Sequence, residues 1–285
     1  MRRFFVILLI LLMCLVTGCE EKPTKQPDSN NTFAAEGLQI HVISLGKADA
    51  ILILADGEAM LIDAGYTMQG TIIADYLKKQ GVAKLKYVVA THADKDHIGG
   101  MAHIIKNFPT EQVYLSPKKE NSPEYIALAQ ALNDTKTKYA FSELLSTFTL
   151  GKGTFTVLAP GAKAMESGTD NDSSVVLRYV YGQRTALFMG DALSRTEKEM
   201  RENGYEYSAE ILKVGHHGEG DATNKKFIRE VAPMYAVITC SKEEPADEDV
   251  LSVLKAFSVE IMRTDERGTV VFSTDGAKWE VKTEK

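Results

Sequence analysis

Of the chain's six histidines, four fall in two tight clusters, each just after an apolar run. The first cluster is His92, Asp94, Asp96 and His97, and the second is the pair His216-His217. Between them, Asp191 follows a glycine at the end of another apolar run. Two carboxylates crowded into one short loop repel unless a cation lies between them. Imidazole and carboxylate together are ligands for zinc, manganese or iron, so residues 92–97 read as metal ligands. Alone, His-His before a glycine is a solvated turn and Gly-Asp after a strand is a helix cap. It is their company that changes the reading. His41, among Ile40 and Val42, and His103, on a helix, read as packing or solvent-facing residues. Cys240 reads as a small buried residue, because no catalytic family signature surrounds it.

The elements that must hold these groups follow from hydrophobic period and turn residues. Apolar runs at 38–45, 50–54 and 59–63, separated by Gly46-Lys47 and Asp56-Gly57, predict a meander of strands. Helical spacing of Ile72, Ile73, Tyr76 and Leu77 predicts a helix that stops at Gly81. Strands are predicted at 85–90, 113–115, 155–158, 174–180, 185–189, 211–214, 235–239, 269–273 and 278–281. Helices are predicted at about 101–107, 123–132, 196–203, 225–231 and 250–257, the second with Ser122 as cap and Pro123 in its first turn. Strands come first and helices fall between later ones, which suits an α/β fold of two packed sheets with helices outside, an αββα sandwich. Periodicity alone also allows an open doubly wound sheet. In either case ligands gather beyond the carboxyl ends of strands, where all three polar clusters are expected.

The run Thr91 to His97 resembles the HxHxDH signature of the metallo-β-lactamase superfamily. The order His92, then Gly190-Asp191, then His216-His217 is similar too, over about residues 38 to 285. The nearest form is the extracellular hydrolase domain of ComEC-type competence proteins. The residues that carry this are 45–49 (LGKAD), 62–65 (IDAG), 92–100 (HADKDHIGG), 171–173 (NDS), 189–191 (MGD), 213–218 (KVGHHG) and 263–265 (RTD). The resemblance implies two neighbouring divalent ions, zinc or manganese, and a metal-activated water as nucleophile. His92 and Asp94 would serve one ion. Asp96, His97 and one of the paired histidines would serve the other; His216 is favoured and His217 is the alternative. Asp191 would bridge both, and Asp96 would also orient the water. Asp49 and Asp63 would hold ligand histidines by their second nitrogen. Asn171 stands near the site, and Lys213 is either a charge for a developing oxyanion or simply solvated. The chain also departs from the pattern. Asp94 replaces a histidine, and only Asp170, Asn171 and Asp172 stand where a further histidine is expected. A Gly-His-Pro histidine is missing near Pro245-Ala246, and Ala48 stands for a glycine. An oxygen-rich first position would suit manganese or magnesium over zinc. Tyr179, Tyr181, Tyr205 and Tyr207 could line a pocket or pack in the core.

The start of the chain reads as an address. Arg2 and Arg3 precede an unbroken apolar run of 13 residues, 4–16, shorter than the roughly 20 that span a bilayer. With Val16-Thr17-Gly18-Cys19 it resembles a bacterial lipoprotein signal. Residues 1–18 would then be removed and Cys19 lipidated. Residues 19–36 would form a flexible tether and 37–285 one domain. Cys240 would be left as the only unmodified cysteine, so no disulfide is expected. The net charge of −6 argues against binding nucleic acid by bulk electrostatics. The expected protein is an exported, membrane-anchored hydrolase on the extracytoplasmic face, acting on a phosphodiester of nucleic acid, a nucleotide or the cell wall, because the two metals that the resemblance implies stabilise both the attacking and the leaving oxygen. The acidic charge favours a small or wall-bound one. Hydrolysis of a lactone, thioester or β-lactam is the alternative within enzymes, and an inactive metal- or ligand-binding lipoprotein the alternative outside them. No stable protein partner is inferable.

Overall fold

In the computed structural model, residues 36–166 and 168–285 are described. The expected signal peptide, Cys19 and nearly all of the expected tether lie outside the described residues. The first half of the chain runs β1 (Leu38–Val42), β2 (Ile51–Ala55), β3 (Glu58–Ile62), α1 (Gly70–Lys79), β4 (Leu85–Ala90), α2 (Lys95–Ile98), α3 (Met101–Asn107), β5 (Thr110–Leu115), α4 (Pro123–Thr135) and β6 (Tyr139–Phe141). The second half runs β7 (Thr147–Leu150), β8 (Gly153–Ala159), α5 (Ala162–Glu166), β9 (Val176–Tyr181), β10 (Arg184–Phe188), α6 (Ser194–Glu202), β11 (Ile211–Lys213), α7 (Lys225–Val231), β12 (Tyr235–Ile238), α8 (Glu248–Ala256), β13 (Glu260–Arg263), α9 (Thr264–Arg267), β14 (Val270–Thr274) and β15 (Glu280–Thr283).

These strands form one sheet of order β15-β14-β1-β2-β3-β4-β5-β6 and a second of order β13-β12-β11-β10-β9-β8-β7. Strands β3 to β6 run parallel, as do β10 to β13. The rest of both sheets is antiparallel.

Three apolar layers explain why the sheets stack. Ile53, Met60, Phe155, Tyr179, Phe188 and Phe272 pack between the sheets. Leu52, Leu61, Ile73, Leu77, Ile104 and Leu128 seal the first sheet against its helices. Leu187, Leu212, Phe227, Ile228, Val250 and Leu254 do the same for the second. In β2 every residue is buried. Ile51 and Ile53 face the other sheet, while Leu52 and Leu54 face the helices. A strand covered on both faces must read as a continuous apolar run. This is the expected αββα sandwich rather than an open doubly wound sheet.

The strand reading needs extension at three places. β6, β7 and β13 were not expected, and all three are sheet edges. The four tyrosines sit away from the clustered histidines. Tyr179 stacks on Phe155 at 4.1 Å, Tyr181 donates to Asp56, Tyr207 stacks on Phe227 at 5.8 Å and Tyr205 packs against the second helical layer. His41 is buried and bonded to Tyr76 and Gln39, and Cys240 is buried with its thiol on Asp265, as packing residues would be.

Candidate metal centre

The carboxyl ends of the parallel strands from both sheets converge. After β4 the chain runs through Thr91, His92 and Asp94 into α2, which carries Asp96 and His97. Asp63 follows β3, Asp191 follows β10, and His217 lies in the turn after β11. Gly190, before Asp191, has φ +53°, and a Cβ there would stand 3.0 Å from the Thr91 side chain. Glycine therefore allows both the turn and the close approach that brings Asp191 beside the β4 loop.

Asp191 is the centre of the cluster. Its Oδ2 lies 3.2 Å from His97 Nε2, 3.4 Å from His217 Nε2 and 3.9 Å from His92 Nε2. Asp94 approaches His92 Nε2 at 3.4 Å, and Asp96 approaches His217 Nε2 at 3.5 Å. Two overlapping groups could each hold an ion, His92 with His97 and Asp191, and Asp96 with His97 and His217. His97 is common to both, whereas the sequence reading gave it to one position only. The Nε2 atoms of His92, His97 and His217, together with Asp191 Oδ1, are buried with no hydrogen-bond partner among the described residues. Buried polar atoms normally find partners. Three lone-pair nitrogens and carboxylate oxygens facing one another are a donor set that fits divalent metal.

The opposite ring nitrogens are fixed. Asp63 lies at the end of β3 with φ +57°. It accepts the Thr91 N–H at 2.9 Å, the Thr91 hydroxyl at 2.7 Å and His97 Nδ1 at 2.7 Å. A carboxylate can only accept, so His97 carries its proton on Nδ1 and turns a lone pair on Nε2 toward the cluster. His217 Nδ1 donates to the Thr239 carbonyl at 3.0 Å with the same effect. His92 Nδ1 faces the hydroxyls of Thr91 and Ser174 at 3.1 and 3.3 Å.

Electrostatics favour positive charge here. Burial opposes protonation of His97, but Asp191 and Asp63 outweigh it and hold its pKa well above the usual imidazole range. His217 is pushed to about 9 against the same burial, chiefly by Asp191 and Asp96. Burial would raise Asp191, yet His97 and His217 hold it well below the carboxylate range. A field that draws protons onto buried imidazoles also draws a divalent cation.

The paired histidines are placed opposite to the favoured expectation. Both are left-handed, His216 at φ 44° and His217 at φ 53°, so the turn reverses between them. His217 points inward, its side chain 1% exposed, while His216 is 16% exposed. His216 donates from Nδ1 to Asp221 at 2.8 Å and accepts at Nε2 from Asn171 at 3.1 Å. The correction is therefore His217 for His216, and Asn171 reaches the cluster's neighbourhood only through His216. Lys213 is neither solvated nor free to meet an oxyanion. It is buried, 2.7 Å from Asp49. Asp49 accepts from Thr239 Oγ1 at 2.5 Å and lies 3.5 Å from His217 Nδ1. Where the expected further histidine is missing, Asp170 pairs with Lys118 and Asp172 accepts from Thr196 at 3.0 Å. Sequence reasoning missed Thr91, Ser174 and Thr239, hydroxyl residues whose composition carries no signal of such a role. The groove beside the cluster, about 350 Å³, is lined by Asp94, Asp96, Glu120, Glu124 and Asp170 with Lys95 and Ser122.

Comparison with known proteins bears on this arrangement. The family description "Metallo-beta-lactamase superfamily" matches residues 44–241. ComE operon protein 3 of Bacillus subtilis is 25% identical, over 84% of this chain and 33% of its own length. Competence protein ComA of Neisseria gonorrhoeae is 26% identical, over 82% of this chain and 32% of its own. The chain thus spans about a third of the length of these curated relatives, whose names agree with the competence-protein resemblance of the motifs. Among solved structures, the metallo-beta-lactamase fold protein YhfI from Bacillus subtilis covers 84% of this chain and all 100% of its own, with TM-score 0.57 and 16% identity. Igni18, a metallo hydrolase from Ignicoccus hospitalis, covers 82% of this chain and 98% of its own, with TM-score 0.57 and 16% identity. At such identities the structural likeness concerns the fold.

Proposed function

The chain belongs to the metallo-beta-lactamase superfamily, and from that premise we propose that it is an exported, lipid-anchored, metal-dependent phosphodiesterase. Residues 1–18 are its signal peptide and Cys19 carries the lipid. Residues 19–36 are the tether, and 37–285 are the hydrolase domain on the extracytoplasmic face of a bacterial membrane. Among the described residues no helix is long and apolar enough to cross a membrane; the anchor in this reading rests on the run 16–19 (VTGC) behind the apolar run 4–16.

One observation carries the hydrolase reading: the partnerless Nε2 atoms of His92, His97 and His217 around Asp191. These residues, with Asp94 and Asp96, would hold divalent metal, zinc or manganese. Bound metal would acidify water and neutralise charge on both the attacking and the leaving oxygen of a phosphodiester. The chain's own groups do the rest. Asp63 and Thr239 keep the Nε2 lone pairs of His97 and His217 aimed inward. Asp96, 17% exposed at the mouth, accepts on a carboxylate oxygen the proton an attacking water gives up. The acidic groove and the net charge of −6 support a small or wall-bound phosphodiester over long nucleic acid, which a negative lining repels.

The test is a screen of the purified mature chain, with manganese or zinc added, against a bis-aryl phosphate, an aryl thioester and a chromogenic β-lactam. Turnover of the phosphodiester with little β-lactam cleavage is expected. Efficient thioester cleavage without phosphodiester turnover sinks the substrate assignment, and inertness toward all three with metal bound sinks the enzyme. Anchoring is tested separately. Cys19→Ala should release the protein from membranes or stall its processing, and unchanged membrane association would contradict the lipid.

A further inference from the structure

Lys213 ends β11 with its side chain 1% exposed, and its ammonium lies 2.7 Å from Asp49 Oδ2, itself 2% exposed. The ammonium also donates to the Val214 carbonyl at 2.9 Å. A buried ion pair gains little stability over apolar side chains of the same volume, so its place in the fold calls for another explanation. That explanation lies in what else Asp49 touches. Its Oδ1 accepts the Thr239 hydroxyl at 2.5 Å. Its backbone N–H donates to Asp96 O at 3.1 Å, and its carbonyl accepts the Gly65 N–H at 2.9 Å. Asp49 lies in the β1–β2 connection of the first sheet. Lys213 and Thr239 belong to the carboxyl ends of β11 and β12 in the second.

We infer that Lys213 and Asp49 act together as a positioning pair across the two sheets. Lys213 fixes the Asp49 carboxylate, Asp49 fixes the Thr239 hydroxyl, and that hydroxyl, 3.0 Å from His217 Nδ1 beside the Thr239 carbonyl, fixes the His217 ring, so that Nε2 of His217 faces Asp191 and Asp96. Lys213 offers no ligand atom, and both Asp49 oxygens are engaged by Lys213 and Thr239. The pair thus acts through His217. Through its backbone N–H on Asp96 O and its carboxylate on Lys213 and Thr239, Asp49 also ties α2, which carries Asp96, to the turn that carries His217. The inference rests on the reading of the cluster as a metal centre.

The experiment is a calorimetric titration of the mature protein with Mn²⁺, alongside thermal unfolding without metal. Wild type, Lys213→Met, Thr239→Val and His97→Ala are compared. Lys213→Met should weaken Mn²⁺ binding about 10–100-fold, the range for losing a group that orients a metal-binding histidine. It should also unfold about 10 °C lower, because a buried carboxylate is left unpaired. Thr239→Val removes the hydroxyl link between Asp49 and His217, leaves the Thr239 carbonyl on His217 Nδ1 and unpairs no charge, and should weaken binding about tenfold with only a small change in unfolding temperature. It decides the matter if Lys213→Met does not fold. Wild-type affinity in Thr239→Val, or in a folded Lys213→Met that has lost only thermal stability, overturns the inference and leaves the pair structural. His97→Ala should lose most Mn²⁺ binding. If it binds like wild type, the metal reading fails instead, whatever the other variants do.

Discussion

At the scale of the residue, the cluster turns on one carboxylate and on which of two adjacent histidines reaches it. Asp191 Oδ2 faces three imidazole nitrogens within 3.9 Å. Two dications held a few ångströms apart repel strongly without a carboxylate between them. Asp191→Asn, His97→Ala and His217→Ala should therefore each lose bound metal and abolish turnover, a larger effect than the roughly 10–100-fold of losing an outer partner. His216→Ala should keep its metal, since that ring is spent on Asp221 and Asn171. Asp94→Ala should lose most activity yet retain about one tightly held ion per chain, because Asp94 touches His92 alone among the histidines. His103→Ala should resemble wild type. Metal per chain by elemental analysis, beside kcat for each variant, checks the whole series. Normal metal content in His217→Ala with loss in His216→Ala would reverse the assignment.

At the scale of the element, the helices behind the second sheet are held by buried carboxylates. Glu197 in α6 accepts the N–H of Thr223 and the Asn224 side-chain amide, and Asn224 caps α7. Burial pushes Glu197 up to about 7 from 4.5, with the Thr223 and Asn224 N–H groups offsetting only part of it. The folded state then holds this proton more tightly than the unfolded chain does. The ionisation penalty is absent below about 4.5, grows as pH rises, and is complete above about 7, where it reaches roughly 3 kcal/mol. The stability difference between Glu197→Gln and wild type should consequently shift in the variant's favour by up to about 3 kcal/mol as pH rises from 4.5 to 8, on top of a constant cost because both Glu197 oxygens accept N–H groups and the Gln amide nitrogen cannot. Denaturant midpoints of both proteins across that range decide it, and a pH-independent difference would refute the buried, proton-holding side chain. In α4, Ser122 accepts the Tyr125 N–H at 3.2 Å with Pro123 next in the chain. Ser122→Ala should cost about 1 kcal/mol in the same measurement.

At the scale of the whole molecule, the cluster is a clasp between sheets. His92, Asp94, Asp96 and His97 come from the first, Asp191 and His217 from the second. Metal that binds only the assembled site adds its binding energy to global stability, about 2.7 kcal/mol at a hundredfold excess over Kd. Chelation should lower the unfolding temperature in a single shared transition. Phe155, stacked between Phe148 and Tyr179 in the inter-sheet layer, should cost about 3–5 kcal/mol as Phe155→Ala. Calorimetry with and without chelator should show both effects. Metal-independent unfolding would mean that the clasp does not close.

Much of this was legible from the chain alone, because some signals are local. The two-sheet sandwich followed from strands that come first and helices that fall between later ones, while apolar runs such as 50–54 gave strands without separating a sandwich from an open doubly wound sheet. The metal reading followed from carboxylates and imidazoles too crowded to coexist without a cation. Edge strands β6, β7 and β13 were silent, since a strand with one side in solvent needs little apolar pattern. The choice between His216 and His217 was silent as well. Two adjacent residues differ in direction only through backbone dihedrals, and the left-handed turn at 216–217 is imposed by contacts to Gly190 and Thr239. Lys213, read as solvated or catalytic, proved buried because its partner Asp49 stands 164 residues earlier in the chain, on the other sheet. Residue type and local period determine which elements form and which chemistry is available. Only the packing of one sheet on the other decides which side chains meet, since that depends on contacts between residues far apart in sequence.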